Sequence, residues 1–489
     1  MATYFPDNLA VVEGEARLSY RELDRDSGRL AAALAGLGLA PGDRVGLCAP
    51  NSYFWLALFY GVLKAGGTAV PLGPALTLDE VSLLLDDCRP RFLYTTPEKA
   101  DKLDDLKPRP YLEQVFQGPD RLMRAMSGPD HGRFPALDLD RDDPAVILYT
   151  GGTTGNPKGA VLSHLNLMTS AHNVAHAERS GPDDRALCFL PLSHVFALIH
   201  ITVSTIYSGG SLVMQPGFDL EAALAAITDL GITKFYAVPT IYVRLLNLPE
   251  LSSIFRKVRY CFSAAASMAE DTVRRWQQTT GLAVHEAYGM TESASMVTYN
   301  HYYRHLAGSV GTPINTVEVR IMDLEGRVLG PGQDGEICIS GPNIMKGYWN
   351  RPQETEAAFR GHWFRSGDWG RLDQDGYLYI VDRLKDMIIS GGENVYPREV
   401  EEALYARPEV MECAVVGLPD EEYGEMVTAF IVPRPGQDID PADLRAWLKA
   451  RLAPYKVPKK YFSVVELPKS PAGKILKREI RKNLKPRKI

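Results

Sequence analysis

Leu148-Tyr149-Thr150-Gly151-Gly152-Thr153-Thr154-Gly155-Asn156-Pro157-Lys158-Gly159 continues an apolar run that begins at Ala145. A short apolar run that breaks into glycines and hydroxyl residues reads as a buried strand emptying into a loop. Glycines leave backbone N–H groups open, threonines add hydroxyls, and Lys158 adds a positive charge. A loop of that chemistry is suited to wrapping phosphate oxygens. It lacks the G-x-x-x-x-G-K-[ST] pattern of P-loop proteins. Pro157 also interrupts any helix that would open directly after the glycines, so a helix-terminal pyrophosphate cradle is not expected.

Outward from this loop, strands and helices alternate. Ser19 and Glu22 have capping-box spacing, and Leu23, Leu30, Leu34 and Leu37 recur at helical intervals, which predicts a helix over 19–40. Val45–Cys48 reads as a buried strand and Phe54–Lys64 as an apolar helix stopped by Gly66-Gly67. The rhythm continues through Arg91–Thr95, Arg185–Leu190, Leu220–Leu230, Lys234–Val238 and Tyr260–Ser263, which predicts sheets with helices on their faces. After about residue 305 the texture becomes short strands between Gly, Asp and Pro turns, as in a small β-rich subdomain. A boundary is expected at Arg383-Leu384-Lys385-Asp386, followed by a compact α+β unit. The fold class is thus α/β multidomain: a large N-terminal domain of α/β layered subdomains with a small β-rich subdomain over 1–384, and a small α+β domain over 385–489.

Composition narrows the function. The 489 residues carry a net charge of -6, so no basic field draws the chain to nucleic acid. Forty-five per cent hydrophobic and 23% charged residues is usual for a soluble globular protein. The six cysteines are far apart, with no C-x-x-C pair, which fits free thiols in a reducing cytoplasm better than a disulfide framework or a structural zinc. No signal peptide is evident at Met1–Asp7, and no apolar run has the length of a membrane span. The basic tail Lys477–Lys488 reads as a solvated helix face with a frayed end. His301 and His305 have the i, i+4 spacing of a metal pair, but no third ligand accompanies them.

Seven segments occur together and in order: Thr150–Gly159, Pro191–His194, Glu286–Glu292, Ser366-Gly367-Asp368, Asp382–Asp386, Gly391–Asn394 and Pro468–Lys474. As a set they resemble the adenylate-forming (ANL) superfamily, and within it the AMP-binding acyl-CoA synthetases and fatty acid–CoA ligases. The resemblance spans essentially the whole chain. It implies an enzyme that uses ATP and Mg²⁺ to turn a carboxylic acid into acyl-AMP, then transfers the acyl group to the thiol of CoA.

Each motif receives a role from that resemblance. Thr150, Gly151, Gly152, Thr153, Thr154, Gly155 and Lys158 would hold the β,γ-phosphates, and Glu292 would bind Mg²⁺, a hard ion that prefers carboxylate oxygen. Ala265, Glu286, Ala287, Tyr288 and Gly289 would border the nucleotide, with Tyr288 stacked on adenine. Asp368 would accept from the ribose hydroxyls, Arg383 would reach the ribose or phosphate side, and Thr291 would donate to the α-phosphate. Lys474 would be the mobile catalytic cation bridging the carboxylate and α-phosphate. His194 would stand as a gate between thiol tunnel and acyl pocket, with Gly391 and Gly392 lining the tunnel. Lys385 would be the hinge about which the small domain swings between the two half-reactions.

The acid would lie among His194, Val195, Phe196, Tyr236, Val238, Ala264 and Gly289. That lining is apolar, and it lacks the acidic residue that amino-acid-activating relatives use for the substrate amine. A dicarboxylate would need a buried cation, for which Lys234 is a poor candidate. An apolar monocarboxylate, first a medium- or long-chain fatty acid and next an aryl acid, is expected. Ser263-Ala264-Ala265-Ala266-Ser267-Met268 departs from the Ser-Gly-Ala-Ala-Pro-Leu common in relatives, which alters the fine shape of the pocket. The rival acceptor is the phosphopantetheine of an acyl carrier protein. Ligases of that kind usually carry an insertion, and none is apparent between Gly311 and Lys385. A non-catalytic nucleotide-binding regulator would need neither Lys474 nor Glu292.

Overall fold

A computed structural model describes residues 1–104, 109–118, 122, 134–135, 137–150, 157–264, 268–383, 386–470, 473–483 and 487–488. The predicted first helix runs Tyr20–Gly36. Ser19 caps it reciprocally: its hydroxyl accepts from Glu22 N, and its own N–H donates to Glu22 Oε2 at 2.7 Å. The apolar helix Tyr53–Lys64 is buried almost all round, as its sequence requires.

Two seven-stranded sheets form the large body. The first contains Pro144–Thr150 paired antiparallel with Lys158–Ser163, with Thr150 opposite Lys158. The glycine-rich motif therefore connects two hydrogen-bonded strands. Residues 151–156 themselves lie outside the described residues. The second sheet places Lys234–Ala237, Tyr260–Ser263 and Val284–Glu286 side by side and parallel. Parallel strands end on one edge, so Val238, Ala264 and Ala287 emerge together. Open α/β sheets bind ligands at such carboxyl ends. All three strands are buried along their length, and Phe235-Tyr236-Ala237 and Tyr260-Cys261-Phe262 are accordingly unbroken apolar runs rather than alternating ones. The β-rich region is a five-stranded sheet including Glu318–Met322, Gly335–Ser340, Trp363–Leu372 and Leu378–Arg383.

Beyond residue 386 the chain builds its own core around Ile388, Val400, Leu404, Val415, Val427, Leu444 and Leu448. Lys477 opens the helix Lys477–Asn483, but it is docked, with Nζ 2.8 Å from Glu401 Oε1. Ile480 of the same turn is 2% exposed. The expected solvated face is thus replaced, at its start, by a packed and ion-paired one, because an isoleucine among the charges anchors the turn. All six cysteines are buried and free. Among the described residues no helix is long and apolar enough to cross a membrane.

Candidate active site

Lys474 is carried on a tight turn: Gly473 N donates to Ser470 O at 2.8 Å, and Ser470 N donates to Lys474 O at 2.8 Å. Gly473 has φ +79°, and a Cβ there would stand 2.7 Å from Val238 Cγ2. Only glycine fits both the backbone angle and the approach. The small domain's turn is therefore seated against the carboxyl end of a large-domain strand. The same placement brings Lys474 to His194. Burial, and then the Lys474 ammonium, push the His194 imidazole down to about 4. Its Nδ1 accepts from Phe196 N at 3.2 Å. His194 is thus a neutral ring at physiological pH, with Nε2 carrying the proton.

Arg398, from the small domain, fixes this arrangement. Its backbone N–H donates to Asp382 Oδ2 and its guanidinium to Ile380 O, each at 2.9 Å. Both acceptors belong to the last strand of the β-rich sheet. The Arg383 side chain, Leu384 and Lys385 lie outside the described residues, as do Ala265, Pro471 and Ala472.

The residues expected to border the nucleotide stand at two strand ends and a short hairpin. Tyr288 donates its hydroxyl to Asp368 Oδ2 at 2.7 Å, with the two residues 8% and 7% exposed. The pair presents a flat ring beside an anionic acceptor. Gly289 follows in a short antiparallel pair with Met296. A Cβ on Gly289 would overlap Ser295 O, so the strands can close here only without a side chain. Ala287 and Thr291 are partly exposed on either side of this pair. Glu292, beside Thr291 in a single 3₁₀ turn, accepts from the Tyr348 hydroxyl at 2.9 Å. Lys158 Nζ lies 5.0 Å from the centre of the same ring. Tyr348 thus joins the cation of the glycine-rich hairpin to the carboxylate of the second motif. Nothing in the local sequence Lys346-Gly347-Tyr348 marked it.

Glu286 is buried beneath this surface, 5% exposed, and accepts from Met268 N at 3.1 Å. Burial lifts its carboxyl to about 7. A carboxyl raised in the folded state loses stability as pH rises, because the unfolded chain ionises first. The loss begins near the ordinary value of 4.5 and is complete once pH passes about 7. Glu286→Gln keeps the acceptor oxygen and removes the charge. It is expected to raise the unfolding temperature at pH 8 by an amount equivalent to up to ~3 kcal/mol, with little change at pH 4.5. Thermal melts at the two pH values test this; equal shifts at both would contradict it.

Of the residues expected beside the acid, Val238 and Ala264 follow two paired strands, and His194, Val195 and Phe196 lead into the helical stretch packed against those strands. Phe196 begins a widened, π-type helical stretch, Phe196–Val203, of the sort found beside functional sites. Its ring is 5.7 Å from Phe262 and 6.4 Å from Tyr236, so the three aromatics close on one another below Val238 and Ala264. Phe262 was hidden in an ordinary strand run. Only the parallel register that sets Tyr236 opposite Phe262 brings it into this aromatic cluster.

Not every expected residue joins the site. Gly391 and Gly392, φ +61° and +85°, form the exposed two-residue turn between Ile388–Ser390 and Glu393–Val395. A Cβ on Gly391 would meet only Tyr423, and one on Gly392 would meet nothing within 4 Å. His301 and His305 are held by Thr312 Oγ1 at 2.7 Å and Val284 O at 3.0 Å.

With this geometry in view, likeness to known proteins is informative. Residues 1–349 match the AMP-binding enzyme family, and residues 399–474 match the AMP-binding enzyme C-terminal domain. The chain belongs to the AMP-binding enzyme family. It is an AMP-forming acid–thiol ligase that uses ATP and CoA, of the adenylate-forming fold. A feruloyl-CoA synthase of Amycolatopsis sp is 39% identical over 483 residues, covering 98% of this chain and 96% of the relative. A long-chain-fatty-acid–CoA ligase of Bacillus subtilis is 35% identical over 518 residues, covering 98% and 92%. ATP-bound MatB from Rhodopseudomonas palustris, 37% identical, superposes with a TM-score of 0.92 over 97% of this chain and 95% of that one. The same relative in its apo form gives 0.82.

Proposed function

We propose that the protein joins an apolar monocarboxylic acid to CoA through an acyl-AMP, with an aryl acid ahead of a medium- or long-chain fatty acid. The acid's carboxylate oxygen attacks the α-phosphorus of ATP, and the bond to pyrophosphate breaks. The CoA sulfur then attacks the acyl carbon, AMP leaves, and the thiol proton is lost. The observation that supports this reading is the seating of the Gly473-Lys474 turn against Val238, with the Lys474 ammonium near enough to His194 to act on its charge. A fixed ammonium there stabilises charge spread over the carboxylate and α-phosphoryl oxygens.

In this reading Asp368 takes the ribose hydroxyls, in place of the Tyr288 hydroxyl it now accepts from, and Tyr288 offers its face to adenine. Thr291 reaches the α-phosphate; Thr150 and Lys158 flank the phosphate loop. Glu292 has the hard oxygen donors that Mg²⁺ prefers, and the ion would neutralise phosphate charge there. His194, being neutral, divides acyl pocket from thiol path without competing with Lys474 for charge.

The aryl preference is supported by the closure of Phe196, Tyr236 and Phe262 and by the feruloyl-CoA synthase relative. Lys234 is already paired with Glu178 at 3.1 Å and so has no spare charge for a second carboxylate. A pyrophosphate-release screen tests the reading, using aryl acids and alkanoic acids with CoA, with a phosphopantetheinylated carrier protein, and with neither. Pyrophosphate should appear with aryl acids, and thioester with CoA. Thioester with the carrier protein alone would move the acceptor.

We take 1–384 and 385–489 as the two bodies that swing, with Lys385 as hinge. Sulfur must approach the carbonyl that Lys474 now guards, so the turn has to withdraw. Lys385→Pro should leave pyrophosphate release within about 3-fold of wild type and cut thioester formation at least roughly 10-fold, since proline fixes φ. Equal loss of both steps would place the hinge elsewhere.

A further inference from the structure

Below the aromatic closure the protein becomes ionic. Val238, Tyr236 and Lys234 descend one face of the sheet, beside Ala264, Phe262 and Tyr260 on the neighbouring strand. The π-type stretch covers this face with Phe196 and His200. The His200 ring lies 4.4 Å from Phe262 and 5.8 Å from Tyr236. Behind these rings sits Glu178. Its Oε1 is 2.7 Å from His200 Nε2, its Oε2 is 3.1 Å from Lys234 Nζ, and it also accepts the Tyr236 hydroxyl. Lys234 donates further to Ser180 Oγ at 2.6 Å, and His200 Nδ1 is 3.2 Å from Ser295 Oγ. None of Glu178, His200, Lys234 and Tyr236 is more than 3% exposed.

On the far side lies a hollow of about 660 Å³ whose lining includes Arg179, Ser180, Tyr299 and Tyr302. Two of these residues touch the cluster from behind: Ser180 accepts from Lys234, and the Tyr302 hydroxyl reaches Glu178 O at 3.4 Å. In the ligase reading the cluster therefore stands between the acyl end of the site and this solvent-open hollow. From Val238 to Tyr236 the strand falls about 7 Å at ~3.3 Å per residue, which is roughly the reach of an arylpropenoate.

We propose that the Glu178–His200–Lys234–Tyr236 cluster is a length stop, which admits an aryl or short acyl group and bars a longer chain from the hollow behind it. The inference rests on the ligase reading above. An apolar side chain at the end of a pocket can rotate aside for an incoming tail. A buried, mutually paired carboxylate and ammonium cannot, because each methylene gained is small against the cost of leaving either charge without its partner. Selectivity is then achieved by making the wrong acid's entry costly rather than by gripping the right one.

The test compares kcat/KM for cinnamate, hexanoate, octanoate, decanoate and dodecanoate in the full enzyme with ATP, Mg²⁺ and CoA, for wild type and His200→Ala. His200→Ala opens the wall while leaving Glu178 bonded to Lys234 and Tyr236. Wild type should lose at least roughly 100-fold in kcat/KM between hexanoate and dodecanoate, and the variant should recover at least ~10-fold for dodecanoate, mainly in KM, with cinnamate changed by less than ~3-fold. A variant that loses all five acids by the same factor shows a purely structural cluster and overturns the proposal. Wild-type turnover of dodecanoate and hexanoate at similar kcat/KM overturns it without any variant. No pyrophosphate from any acid would sink the ligase reading, and the stop with it.

Discussion

Lys474→Ala is expected to lower acyl-AMP formation by at least roughly 10²–10³-fold, the usual cost of removing one preorganised electrostatic donor. Thioester formation from supplied acyl-AMP should survive within a few-fold. The asymmetry follows from the site. The ammonium is held beside His194 by a turn that packs against Val238. In the first half-reaction a carboxylate must approach an already anionic triphosphate, and a fixed cation between them offsets the repulsion. In the second, a thiol attacks a neutral carbonyl from the side that the turn has vacated. Pyrophosphate release and acyl-AMP thiolysis, measured separately, separate the two. If both half-reactions survive, Lys474 does not have this role; if both fail with the fold intact, it is not confined to the first.

Glu178→Ala should destabilise the protein by about 3–5 kcal/mol, since the buried Lys234 ammonium loses its nearest carboxylate and keeps the backbone carbonyl of residue 178, Ser180, the Tyr260 ring and, at 3.8 Å, Asp184. Burial alone would raise the Glu178 carboxyl, but the Lys234 ammonium, then His200 and Tyr236, reverse this and hold it down to about 2. A carboxyl depressed in the folded state contributes stability that is fully present above its ordinary 4.5 and is lost as pH falls toward 2. Acid unfolding of the wild type should thus steepen in that window, and Glu178→Ala should flatten it. The double variant Glu178→Leu with Lys234→Met, which replaces the pair by apolar groups, should recover most of the loss. Denaturant melts at pH 7 give the magnitude. A single variant within about 1 kcal/mol of wild type would mean that the pair is already uncompensated or hydrated.

The chemistry of this protein was written in the chain to an unusual extent. Thr150, Lys158, Glu292, Asp368 and Lys474 stand in motifs whose order along the chain resembles that of the adenylate-forming enzymes, and the match of residues 1–349 and 399–474 to the AMP-binding enzyme family agrees with that resemblance. Periodicity likewise showed the capped helix at Ser19 and the βαβ rhythm, which are local properties of 3.6- and 2-residue repeats. What the sequence could not supply was how the aromatic and ionic side chains below Val238 and Ala264 pack together. Phe196 and Tyr236 were expected beside the acid, but Phe262, on the strand paired with Tyr236, alone reads as core. Glu178, in His176-Ala177-Glu178-Arg179, looks like a solvated helix end, and His200 and Lys234 carry no motif. Only tertiary structure brought them into one buried cluster, because register and crossover, not neighbouring residues, decide which side chains of a parallel sheet share a face.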